Sequence, residues 1–233
     1  MLDTVSIQAL SQIEIFQSTR VENIRNRIED FKWRRYDSNE QIISHNEKSK
    51  DVYFVCSGFV RATIYTRAGK EVAFQDLGPG QMFGELSAID GRPRATHVVA
   101  LTDSTIACLT DDCFWALLER HPEIAAATLR RLSGLVRRLC DRVLEFSTLG
   151  IQNRIQAELL RLARDHSDGD NSAVIAPVPT HYEIATRVST HREAVSRELN
   201  RLAKIGLVER QRGRLVIKNI AQLSRMVEDV LDA

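Results

Sequence analysis

The chain has 233 residues, 43% of them hydrophobic and 27% charged, with a formal net charge of +1. That length allows one good core and a smaller second one, and the composition is that of an ordinary globular protein. There is no apolar run long enough to span a membrane and no signal peptide at Met1-Leu2-Asp3, so the expected compartment is the cytoplasm and a membrane is not an expected partner.

From Ile7 to Glu29 the chain reads as short helices, with Ile13, Ile15, Phe16, Val21, Ile24 and Ile28 spaced between charges. From Phe31 to Leu109 the texture changes. Phe31–Tyr36, Gln41–Ser44, Asp51–Cys56, Phe59–Tyr65, Glu71–Gln75, Thr96–Leu101 and Thr105–Leu109 have strand length and β-branched or aromatic content. Turns at Ser57-Gly58, Ala68-Gly69-Lys70 and Gly78-Pro79-Gly80 separate several of them. Short, evenly spaced strands predict a closed antiparallel jelly roll.

One stretch interrupts the strand series: Phe83-Gly84-Glu85-Leu86-Ser87-Ala88-Ile89-Asp90-Gly91-Arg92-Pro93-Arg94-Ala95-Thr96. Gly84 lets the backbone approach a ligand and opens a short helical turn whose amides can receive an anion. Asp90-Gly91-Arg92-Pro93 reverses the chain and returns Arg94 over that turn. A guanidinium there would neutralise a phosphate directionally, whereas the Glu85 carboxylate suits a sugar hydroxyl. A phosphate and a hydroxyl side by side suggest a nucleotide.

The four cysteines, Cys56, Cys108, Cys113 and Cys140, lack paired metal-ligand spacing, and none precedes Cys56. The pattern argues against an iron-sulfur sensor. The histidines are equally dispersed, so no metal is expected.

Asp111 starts a helix that His121-Pro122 resets. From Pro122 to about Leu149 only Gly134 weakens helical continuity, giving a rod on the order of 40 Å at ~1.5 Å per residue. Thr128, Leu132, Leu135, Leu139, Arg142, Phe146 and Leu149 recur at intervals of four and three. They predict a coiled-coil seam and a parallel homodimer, with Val136 and Val143 as a second apolar edge. Ser147 to Gly150 reads as a hinge. Ile151–Ala163 follows as a helix with Ile151, Ile155, Leu159, Leu160 and Leu162 on its apolar side, and Asp165–Pro179 as a connection with a short extended piece at Val174-Ile175.

Thr180 and Glu183 have the spacing of a capping box. Ile184, Ala185 and Val188 face inward, Ser189-Thr190 breaks the chain, and His191–Ile205 forms a second helix. On that helix Val195, Leu199 and Leu202 point to a core, while Arg192, Glu193, Ser196, Arg197 and Asn200 lie outward. This is a helix-turn-helix with a β-hairpin wing at Leu207–Ile217, turned at Gly213. Arg187, Arg192, Arg197, Arg201, Lys204, Arg210, Arg212, Arg214 and Lys218 outnumber Glu193, Glu198 and Glu209 here, so a near-neutral chain concentrates positive charge in one module. That placement predicts salt-dependent binding to double-stranded DNA.

The Phe83–Thr96 stretch resembles the phosphate-binding cassette of cyclic-nucleotide-binding domains. His191-Arg192-Glu193-Ala194-Val195-Ser196-Arg197 resembles the recognition helix of the cyclic-AMP receptor protein family, the CRP/FNR regulators. The resemblance covers nearly the whole chain. It implies an α+β protein with an N-terminal cyclic-nucleotide-binding jelly-roll β-barrel (residues 1–120), a dimerisation helix and hinge (121–149) and a C-terminal winged helix-turn-helix (150–233). It also implies a bacterial, cytoplasmic transcriptional activator that binds DNA as a homodimer and engages RNA polymerase.

By that resemblance Glu85 takes the ribose 2′-hydroxyl and Arg94 the cyclic phosphate, with amides around Gly84, Glu85 and Ala95 taking the remaining oxygens. Phe74, Phe83, Leu86, Ser87 and Thr96 complete the expected pocket. Arg192 and Arg197 would read guanines, Glu193 a cytosine amine, and His191 and Thr180 phosphates, with Ser196 also at the interface, on a TGTGA-like palindrome. Two features depart from the family. Ser189 replaces the usual turn glycine, and Leu139 and Cys140 stand where the best-known member has two hydroxyl residues on the adenine base. Neither Leu139 nor Cys140 bonds strongly to an exocyclic amine. The effector implied is therefore cyclic AMP, with discrimination loose enough to admit cyclic GMP; Ala95 leans toward cyclic AMP.

Other readings compete. A regulator of the same fold could sense haem or an organic acid, against which the intact Glu85 and Arg94 argue. A regulatory subunit of an enzyme would not need the DNA module. Catalysis lacks a nucleophile with a positioned base, so the chain is not expected to be an enzyme.

Overall fold

The computed structural model describes residues 2–231 except positions 18, 21, 24–26, 68, 70 and 168. The expected helical residues Val21 and Ile24, and Ala68 and Lys70 of the expected turn, lie outside the described residues. The chain divides into two compact units, residues 1–136 and 137–233.

The first unit is a pair of four-stranded antiparallel sheets with helices against one of them. Its strands are β1 (Lys32–Tyr36), β2 (Gln41–Ile43), β3 (Val52–Ser57), β4 (Val60–Tyr65), β5 (Glu71–Leu77), β6 (Met82–Phe83), β7 (His97–Ala100) and β8 (Ser104–Leu109). One sheet runs β1-β8-β3-β6 and the other β2-β7-β4-β5. Side chains on a strand alternate between its faces. Tyr53 and Val55 therefore join Ile43, Val60, Val98 and Ile106 between the sheets. Val52 and Phe54 turn the other way, onto Leu10, Phe16, Phe114 and Ile124 of the helical layer. With both faces covered, β3 reads as an unbroken apolar run.

That layer comprises α1 (Leu2–Ser11), α3 (Asp111–Arg120) and the start of α4 (Pro122–Thr148), with α2 (Glu85–Asp90) between β6 and β7. Thr110 caps α3 by accepting the Cys113 amide, and Pro122 opens α4 where its missing N–H costs nothing. Sequence reading missed β6, a strand of only two residues.

The second unit comprises the rest of α4, α5 (Ile151–Asp165), β9 (Ala173–Ile175), α6 (His181–Arg187), α7 (Arg192–Lys204), β10 (Val208–Gln211), β11 (Arg214–Ile217) and α8 (Ile220–Leu231). Ile155, Leu159, Ile184, Val195, Leu199, Leu202, Leu215 and Leu223 form its core. Three strands pair in the order β10-β11-β9, so the expected wing is part of a larger sheet. Helix α8, packed on α5, was not anticipated.

Two expectations need correction. Ile151 is 48% exposed and does not join the apolar side of α5. On α4, Thr128 is buried and donates its hydroxyl to the Ile124 carbonyl, Leu149 enters the second unit's core, and Arg142 donates to the Arg187 carbonyl. Three of the seven expected seam residues are thus occupied within the chain. The exposed apolar residues are Leu129, Val136, Leu139, Val143, Leu144 and Phe146, and Leu129, Val136 and Val143 recur every seven. Val136 and Val143, expected as a second edge, are open, and so are the seam residues Leu139 and Phe146. Among the described residues, no helix is long and apolar enough to cross a membrane.

Candidate functional site

Gly84 precedes α2 with φ +83°, a left-handed conformation that favours glycine. A side chain there would collide: an added Cβ would lie 2.8 Å from Arg94 Nη1, 2.9 Å from the Asp51 carbonyl oxygen and 3.1 Å from Tyr53 Cδ2. The glycine is the space into which Arg94 folds.

Arg94 is 2% exposed. Its Nε donates to Ser49 Oγ at 3.0 Å, Nη1 to the Gly84 carbonyl at 2.8 Å and Nη2 to the Asp51 carbonyl at 2.8 Å. Its guanidinium carbon lies 5.6 Å from the centroid of Tyr53, whose ring stacks on Phe83 at 5.1 Å and 7°. A guanidinium has five N–H donors, so one remains on each Nη for an anion. Among the described residues no carboxylate accepts from it, which leaves the positive charge without an ion pair there.

Glu85 opens α2 and is 5% exposed. Burial pushes its carboxyl above the usual carboxylate range, against the pull of Arg131 and, more weakly, Arg94. Arg131 is itself nearly buried, donating to the Met82 carbonyl and lying 3.5 Å from Glu14 Oε2, while its Nε has no partner. The structure therefore brings Phe83, Gly84, Glu85, Ser87 and Arg94 into one buried cluster. Ser49, Asp51, Tyr53 and Arg131 belong with them and were missed by sequence reading. Leu86 is 41% and Phe74 38% exposed, and Ala95 is exposed with Thr96 half-buried. Leu139 and Cys140 lie on the part of α4 within the second unit, and Cys140 is exposed.

In the second unit, Thr180 accepts the Glu183 amide at 3.2 Å while the Glu183 carboxylate accepts the Thr180 amide at 2.7 Å, the capping box anticipated from spacing. Ser189 holds the left-handed turn at φ +54°, and the Thr190 amide closes it on the Ala185 carbonyl at 2.9 Å. Helix α7 then starts after His191 and exposes Arg192, Glu193, Arg197 and Asn200.

The basic surface is smaller than composition suggested. Arg187 pairs with Glu158 at 3.0 Å, Arg201 with Glu198 at 2.7 Å and Lys218 with Glu209 at 2.6 Å. Arg192 also pairs, with Glu193 at 3.0 Å, and it is exposed together with Arg197, Lys204, Arg210, Arg212, Arg214 and Lys218. Ser196 is tied to His181 at 2.6 Å, a contact that spacing along one helix could not reveal.

Residues 33–121 match the family described as "Cyclic nucleotide-binding domain" and residues 153–226 that described as "Crp-like helix-turn-helix domain". The chain is 30% identical over 217 residues to the cyclic AMP receptor protein of Thermus thermophilus, covering 91% of this chain and 95% of that relative. It is 26% identical over 185 residues to a CRP-like cAMP-activated global transcriptional regulator of Mycobacterium tuberculosis, covering 79% and 83%. Among solved structures, a CooA variant from Carboxydothermus hydrogenoformans superposes with a TM-score of 0.76 at 22% identity, covering 85% of this chain and 88% of that one.

Proposed function

The chain belongs to the CRP/FNR family of transcriptional regulators, and from that premise we propose that it is a cyclic-nucleotide-dependent, dimeric DNA-binding protein. Its effector is cyclic AMP, with cyclic GMP also admitted, and its target is a TGTGA-like palindrome. The observation that carries this reading is the Arg94 guanidinium, buried, without a carboxylate partner among the described residues and braced by three neutral acceptors beside Glu85. A cation so held is suited to a single phosphate group, and a carboxylate next to it suits a ribose hydroxyl. Gly84, Glu85 and Ala95 would supply amides to the phosphate, with Phe74, Phe83, Leu86, Ser87 and Thr96 around the nucleotide and Leu139 and Cys140 at its base.

In the proposed domain plan, residues 1–120 bind nucleotide, 121–149 dimerise and hinge, and 150–233 bind DNA. The exposed heptad residues of α4 support pairing of two copies. Arg192, Arg197 and Glu193 read base edges, Thr180 and His191 hold phosphates, and RNA polymerase is the further partner. Nucleotide shifts the dimer toward the DNA-competent arrangement only by its differential affinity for the two states. The chain acts in the cytoplasm and as a regulator, not an enzyme.

A DNA-binding titration on palindromic sites with cyclic AMP, cyclic GMP and neither tests the reading. Tighter binding with cyclic AMP supports it, and equal binding in all three arms refutes it.

A further inference from the structure

Three side chains from separate elements meet at the start of α6. His181 Nδ1 lies 2.6 Å from Ser196 Oγ on α7, and Arg210 Nη2 on β10 lies 3.1 Å from His181 Nε2. Ser196 also donates its hydroxyl hydrogen to the Arg192 carbonyl at 3.0 Å. These contacts fix the protonation of the ring. An arginine N–H can only donate, so Nε2 must present its lone pair. The Ser196 hydrogen is committed to Arg192, so Nδ1 must carry the proton and donate to Ser196 Oγ. The result is a directional chain from Arg210 through neutral His181 and Ser196 to the backbone of α7.

This chain has two consequences for the proposed DNA-reading surface, on which the inference rests. The Ser196 hydroxyl hydrogen is spent within the protein and cannot be donated to a base. Arg210 uses one of its five N–H donors on His181, forms no carboxylate pair among the described residues, and stays exposed beside the capped start of α6, where Thr180 is expected to meet a phosphate. We propose that His181 is a positioning residue: as the Nδ1-protonated imidazole it fastens the wing arginine Arg210 to α7, and Arg210, so held, takes a DNA backbone phosphate.

Nitrogen NMR of the free chain with labelled histidine reads the first half directly. The expected result is a protonated Nδ1 and an unprotonated Nε2 for His181; the opposite tautomer overturns the proposal. Affinity of the full chain for a random-sequence duplex, measured against salt at saturating cyclic AMP, reads the second half. Each phosphate contact contributes roughly 0.9 to the slope of log affinity on log salt, so Arg210→Ala, which removes one contact from each protomer of the proposed dimer, should flatten it by about two. His181→Ala should flatten it as well, although the residue removed is uncharged, and the double variant should be no flatter than either. His181→Gln, whose amide oxygen can accept from Arg210, should restore most of the slope. An unchanged slope in His181→Ala, or additive losses in the double variant, overturns the proposal while leaving the DNA-binding reading intact. A wild-type chain that binds no duplex at all overturns both.

Discussion

Arg94 Nη1 and the carbonyl oxygen of Gly84 are 2.8 Å apart, and an added Cβ on Gly84 would stand at that same distance from the same nitrogen. Gly84→Ala is therefore expected to displace the arginine and to strain a left-handed backbone. Such strain costs about 1–3 kcal/mol, so the variant should melt lower and lose its calorimetric signal with cyclic AMP. A variant that binds normally would show that the pocket does not depend on this packing.

Arg94→Lys keeps a positive charge but not the fork that reaches Ser49, Gly84 and Asp51 at once. Charge-assisted hydrogen bonds contribute about 1.5–3 kcal/mol each, and about 1.4 kcal/mol is tenfold in affinity. Cyclic-nucleotide binding should accordingly fall at least about tenfold in calorimetry. Arg94→Ala should abolish the nucleotide response. Arg197→Ala should spare nucleotide binding and lose specific DNA in mobility-shift assays.

Burial raises the Glu85 carboxyl pKa above its unfolded value. Between those two values the folded chain binds more protons than the unfolded one, so this group's contribution to stability is present below the ordinary carboxylate range and declines as pH rises through the folded value. Glu85→Gln should remove that dependence, raise the melting temperature of the nucleotide-free protein at neutral pH, and weaken cyclic-AMP binding. Thermal melts of both proteins across pH 4 to 8 check the sign, and parallel melting curves would contradict it.

His181 shifts the other way, its pKa lowered by burial and then by Arg210. Just below the ordinary histidine value the unfolded chain takes up the proton first, so stability falls as pH drops through that window. His181→Gln should flatten the dependence there, read by denaturant unfolding between pH 5 and 7.5.

Leu139→Thr with Cys140→Ser places hydroxyls at the two positions proposed for the base. If those residues face the adenine, preference for cyclic AMP over cyclic GMP should rise about tenfold, the effect of one modest hydrogen bond. Competition binding with both nucleotides measures it, and an unchanged ratio removes these positions from the base site.

Much of this was legible in the chain because the relevant signals are local. Gly84, Glu85 and Arg94 fall in one short stretch, and the Thr180–Glu183 box and Gly213 turn are set by spacing alone. The supports of Arg94 were not legible: Ser49, Asp51 and Tyr53 lie more than forty residues upstream and reach it only through tertiary folding, in which Arg94 exchanges backbone hydrogen bonds with Asn46 and Glu47. Part of the expected seam of α4 was misjudged for a related reason, although Leu139 and Phe146 are exposed as expected. Thr128 and Leu149 look like seam residues until the core of each unit claims them. The count of basic residues likewise hid Arg187, Arg201 and Lys218, whose carboxylate partners include Glu158 on another helix.

Strand β11 is paired on both sides, to β10 and to Ala173–Ile175. The hairpin at the edge of the second unit is consequently not a loose flap. To swing away it would have to unzip β9, which packs on α5, so any load on its tip is transmitted into the helical scaffold instead of being dissipated in a hinge.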